Sequence, residues 1–110
     1  MQKVKVGDIY WDCAYHPVLC TESCRVKNRR LFSYNHDVAG VSLFDGSRPR
    51  SCSIEHCGVI ALNADQVAWL IEFRDDWLAA EEAGRGGDRR AYEIMLTSWD
   101  KFVEESSYAS

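Results

Sequence analysis

The chain has 110 residues, with 13 Lys and Arg against 17 Asp and Glu, a formal charge of −4, and an apolar content of 46%. That length supports one modest core and excludes two independent ones, and that composition excludes an intrinsically disordered chain. No apolar run approaches membrane-spanning length, and the start, MQKVKVGDIYW, has no long apolar stretch before a small-residue cleavage site, so the expected location is the cytoplasm with no membrane partner.

The charge is uneven. Residues 1 to 58 carry eight Lys and Arg against six Asp and Glu, whereas residues 59 to 110 carry five against eleven. A mildly basic front and an acidic back orient a partner or a second copy of the chain, and a solvated acidic helix pair accounts for the back half equally well.

In chain order, Ile9, Trp11 and Cys13 alternate with Tyr10 and Asp12, the period of a first strand. His16-Pro17 interrupts it, and because proline has no N–H to give, a second strand begins at or just after Pro17. Cys24 to Asp37 mixes Arg25, Lys27, Arg29 and Arg30 with Phe32 and Tyr34 and has no clean period. It reads as a long irregular loop or hairpin tip, with an added edge strand near Leu31 to Tyr34. A third strand covers Val38 or Ala39 to Phe44, and Asp45-Gly46 supplies the positive-φ residue of a tight reversal. An even loop there places Val41, Leu43, Cys52 and Ile54 on one face, with Arg50 beside the turn at an open rim. A short turn, Glu55 to Gly58, precedes a last strand from Val59 to Leu62.

Five short strands in meander order resemble a small Src-homology-3-like barrel over about the first 62 residues, an architectural likeness that rests on no motif. Fold likeness of this kind carries almost no functional information.

Asn63 followed by Gln66 is a capping box. It opens a helix from about Ala64 to Ala83, ended by Gly84-Arg85-Gly86-Gly87, whose apolar face includes Val67, Leu70, Ile71, Trp77 and Leu78. Asp88 caps a second helix reaching about Glu105, striped with Tyr92, Met95, Leu96, Trp99, Phe102 and Val103. Ser106 to Ser110 should fray. The expected class is therefore α+β: one domain over 1–110, a barrel-like antiparallel sheet in 1–62 and an αα-hairpin in 63–106.

Cys13, Cys20, Cys24, Cys52 and Cys57 are odd in number and lie in no C-x-x-C knuckle, so the reading is reduced thiols serving as small core residues, with no cofactor. The alternative is a zinc-stabilised domain with Cys20, Cys52, His56 and Cys57 as ligands. No Cys-His enzyme motif is present and no catalytic residue is assigned. Lys27, Arg29, Arg30, Phe32, Tyr34, Arg48 and Arg50 form a basic-aromatic set suited to a partner protein, with nucleic acid second because the whole chain is acidic. Trp69, Phe73 and Trp77 recur every four residues, as core or as a self-association stripe for a homodimer. The expected role is a small non-enzymatic binding or accessory protein.

Overall fold

The structure is a computed structural model describing residues 4–28, 33–49, 52–53, 57 and 59–108, with the backbone alone for 24–28, 33–36, 53 and 106–108. Two compact units make up the chain, Met1–Ala68 and Trp69–Ser110. The class is α+β, as the patterning predicts.

In the first unit, β1 (Ile9–Trp11), β2 (Pro17–Asn28), β3 (Ser33–Ser42), β4 (Cys52–Ser53) and β5 (Ile60–Ala61) form an antiparallel sheet in the order β4-β3-β2-β1-β5. The barrel expectation is corrected here. Strands β4 and β5 occupy opposite edges, and at two residues each they are too short to close the sheet on itself. β2 does begin at Pro17, which lies opposite Trp11.

Of the two readings of Cys24 to Asp37, the hairpin is the one that forms and the irregular loop is corrected. The β2–β3 ladder runs from Val18↔Ser42 to Asn28↔Ser33, interrupted by one bulge between Cys20 and Glu22. The sequence of this segment lacks the apolar alternation that announces a half-buried strand, so its pairing is not legible from period alone.

Face parity is the third correction. The buried positions of β3 and its turn are Val38, Gly40, Ser42 and Phe44, while Val41 and Leu43 are half-buried on the other side. Cys52 lies across from Val38, so it shares their face rather than that of Val41. On β1 the buried residue is Tyr10, flanked by half-buried Ile9 and Trp11. The core gathers Val4, Tyr10, Val18, Cys20, Val38, Cys52 and Val59, with Ala61 packed against it. Ile54 and Arg50 lie outside the described residues.

The bulge and Gly40 belong together. Gly40 faces Cys20 at the last regular pair before the register shifts. A Cβ there would overlap the Leu19 carbonyl oxygen and lie 2.7 Å from the carbonyl carbon. Only glycine lets the two backbones approach so closely. After β3, Gly46 adopts φ 73° and its N–H donates to Ser42 O at 2.9 Å, in agreement with the expected Asp45-Gly46 reversal.

The capping box forms as its residues require. Asn63 N donates to Gln66 Oε1 at 2.9 Å and Gln66 N donates to Asn63 Oδ1 at 2.8 Å. The single helix expected over Ala64 to Ala83 is instead two, α1 (Ala64–Glu72) and α2 (Arg74–Arg85). Phe73 sits between them at φ −98°, ψ 14°, in the sparsely populated bridge region. Bonds from Phe73 N to Trp69 O and from Trp77 N to Phe73 O span the break, which makes it a kink rather than a turn. Helix α3 (Arg90–Tyr108) follows Asp88, whose carboxylate accepts from Arg90 N at 3.2 Å. It continues three residues past the expected end near Glu105.

Candidate functional site

Beyond Asp37, which pairs with Ser53, and beyond Ser23, whose hydroxyl donates to Val4 O at 2.9 Å, the β2–β3 hairpin has no third paired strand among the described residues. Four register pairs, Arg25↔His36, Val26↔Asn35, Lys27↔Tyr34 and Asn28↔Ser33, therefore project as a two-stranded arm. Lys27 and Tyr34, both in the expected partner-binding set, are brought directly opposite one another. Arg48 is exposed, whereas Arg29, Arg30, Phe32 and Arg50 lie outside the described residues. From Ser23 to His36 the sequence has four Lys and Arg and no Asp or Glu.

A second feature lies among the cysteines. Cys20 and Cys52 are buried, as expected of packing thiols, but Cys13 and Cys57 are exposed. The buried residue of β1 is Tyr10, so the strand's alternation sets Cys13 on the side of Ile9 and Trp11 rather than inward, and the strand ends at Trp11 before reaching it. Cys13 lies instead in a turn held by Asp12, whose Oδ1 accepts from Ala14 N at 3.1 Å and His16 N at 2.9 Å. The turn carries the Cys13 sulfur to 3.5 Å from that of Cys52, and the sulfurs of Cys13, Cys52 and Cys57 all lie within 4.8 Å of one another. Of the ligand set read from the sequence, the structure unites Cys52 and Cys57. It places Cys20 in the core with its thiol directed to Glu22 O at 3.3 Å, and His56 lies outside the described residues. Burial pushes the Cys52 thiol up to about 12 and also raises that of Cys20. Burial likewise raises the Tyr10 phenol, with Cys52, Cys20, Asp12 and Cys13 adding to the effect in that order. Among the described residues the Tyr10 hydroxyl has no hydrogen-bond partner.

Asp12, His16 and Ser42, which no motif in the sequence links, come together in the fold. His16 Nδ1 and Ser42 Oγ are 2.8 Å apart, and Ser42 Oγ also accepts from Phe44 N at 3.1 Å. The Phe44 ring stands 5.1 Å from that of His16. The residue types suggest a hydrolase, but the Asp12 bonds run to the His16 backbone, and Ser42 is only 2% exposed. In this geometry the group locks the β1–β2 turn to the end of β3. The spacing of Asp12 to His16 fits an Asx-type turn, but the approach of Ser42 depends on strand pairing that sequence alone does not display.

In the helical unit, Trp77 is fully buried and meets Tyr92 edge-on at 6.1 Å. Trp69 stacks on Phe102 at 5.4 Å and contacts Phe73 at 4.6 Å and Trp99 at 5.6 Å. Trp69 and Phe73 are half-buried, so they are the members of the expected self-association stripe that keep surface to offer.

No protein-family model, curated protein or solved structure matches the chain.

Proposed function

We propose that the protein is a small non-enzymatic binding or accessory protein whose β2–β3 arm engages an acidic segment of a partner protein. The observation that supports this most is the arm itself, four register pairs with no flanking strand among the described residues, within a segment that carries cations only. An isolated two-stranded ribbon is marginally stable in water. Among the described residues each of its strands has one edge of backbone N–H and C=O groups outside the ladder, and an extended peptide recognises such an edge by adding a strand. Arg25, Lys27, Arg29 and Arg30 would favour a partner strand rich in Asp and Glu and speed its encounter.

A second copy of this chain also has suitable charge, since residues 59 to 110 carry eleven acids against five bases. Nucleic acid is the weaker reading because that same acidic half repels a polyanion.

The test is affinity capture with the wild type and with a variant in which Lys27, Arg29, Arg30, Arg48 and Arg50 are changed to Gln. The expected result is loss of a specific protein partner from the variant at an unchanged urea midpoint. An identical set of captured proteins would contradict the reading, as would salt-sensitive retention of an oligonucleotide in place of any protein.

A further inference from the structure

We propose that Cys13, Cys52 and Cys57 form a three-thiolate site for a zinc ion, the described residues supplying three of its four ligands. Their sulfurs come from three separate places in the chain, the turn after β1, the edge strand β4 and position 57, yet all lie within 4.8 Å of one another. A tetrahedral zinc with bonds of about 2.3 Å places its sulfur ligands about 3.8 Å apart, and the Cys13–Cys52 separation of 3.5 Å is within a few tenths of an ångström of that.

The donor set selects the metal. Three sulfurs suit a borderline-soft cation and disfavour magnesium or calcium, which require oxygen. The burial pattern defines the form of the site, because Cys52 is enclosed while Cys13 and Cys57 are exposed, so the ion would enter from solvent.

The mechanical consequence concerns β4. That strand is two residues long and is held to β3 by the Asp37↔Ser53 and Val38↔Cys52 pairs. A zinc ion bound to Cys52 and Cys13 would fasten this short edge to the turn beyond β1, across 39 residues of chain. On binding, each thiol gives its proton to the buffer and the zinc takes the sulfur lone pair, so up to three protons leave per ion. No redox change is involved.

The experiment titrates the full-length reduced protein with Co2+ and then displaces it with Zn2+. One equivalent of Co2+ should bind with proton release and give sulfur-to-cobalt charge-transfer absorption in the near ultraviolet, Zn2+ should abolish that absorption by displacing the cobalt with no further proton release, and the zinc-loaded protein should melt above the metal-free one. Cys13→Ser and Cys57→Ser change exposed side chains, so both should keep the metal-free circular dichroism of the wild type while binding weakens more than about tenfold. Cys20→Ala, outside the cluster, should keep one equivalent.

Three results would overturn the assignment. They are absence of the charge-transfer band in the folded wild type, wild-type affinity in Cys13→Ser, and a Cys13–Cys52 disulfide in protein whose thiols were trapped at lysis.

Discussion

Changing Gly40 to alanine tests the packing on which the arm depends. The added methyl would overlap the Leu19 carbonyl oxygen, lie 2.7 Å from its carbon and stand 3.0 Å from Val18 Cγ1. Two of those three neighbours are backbone, so no rotamer change relieves the overlap; β2 and β3 must separate where Cys20 faces Gly40. Overpacking of this kind costs about 1–3 kcal/mol. One or two weakened ladder hydrogen bonds add about 1 kcal/mol each. The lower entropy of the unfolded alanine chain offsets about 0.4–1 kcal/mol of that.

The net loss is about 2–4 kcal/mol, a large part of the stability of a small domain. With a urea m-value of about 1–3 kcal/mol/M, the midpoint should fall by roughly 0.7–4 M, read by circular dichroism. Gly46→Ala is the internal comparison, because Gly46 has φ 73° and open space around its Cα. Its cost is the left-handed backbone alone, about 1 kcal/mol. A Gly40→Ala midpoint equal to or above that of Gly46→Ala would refute the close approach of the two strands.

Other expectations follow from single contacts. Asn63→Ala removes one half of the capping box and should cost about 1 kcal/mol by urea melting. Tyr10→Phe removes a buried hydroxyl with no partner among the described residues, so stability should be unchanged or higher by up to about 1 kcal/mol, whereas a loss above that would reveal a hydrogen bond. The Ser47 hydroxyl donates to Asp45 Oδ1 at 2.6 Å and the Ser47 N–H at 2.9 Å, and these bonds hold the Asp45 carboxyl below the usual carboxylate range. Because the folded value is depressed, the stabilisation is present above the unfolded carboxyl pKa and is lost as pH falls through the folded one. Ser47→Ala should move the Asp45 titration upward by NMR, and an unmoved curve would exclude the hydroxyl as its main cause.

Signals that act within a few residues were legible in the sequence. Asn63 and Gln66 announced the reciprocal cap, Pro17 the start of β2, and Asp45-Gly46 the reversal after β3, because each sets local backbone geometry. What depended on partners distant in the chain was not legible. Val38, Ala39, Gly40, Val41, Ser42, Leu43 and Phe44 offer apolar or small residues to both faces, so the buried parity could be known only from the register of β2 with its bulge after Cys20. The extent of the arm is not legible because Cys24 to Asp37 has no clean apolar period, although a hairpin tip is among the readings that segment allows. The cysteine cluster was half legible: Cys52 and Cys57 are near in sequence, but Cys13 joins them only through the Asp12 turn, and Cys20 is drawn into the core by its place on β2. The kink at Phe73 left no mark in a continuous helical stripe, since Trp69, Phe73 and Trp77 keep their four-residue spacing through it.

Site-specific photo-crosslinking in cells tests the binding role of the arm most directly. A photoreactive residue would replace Lys27, opposite Tyr34 on the ribbon, and in a separate chain Lys101, exposed on α3. An adduct with an acidic protein segment should form from position 27 and disappear when Arg25, Arg29 and Arg30 are neutralised. Adducts from position 101 with none from position 27 would contradict it.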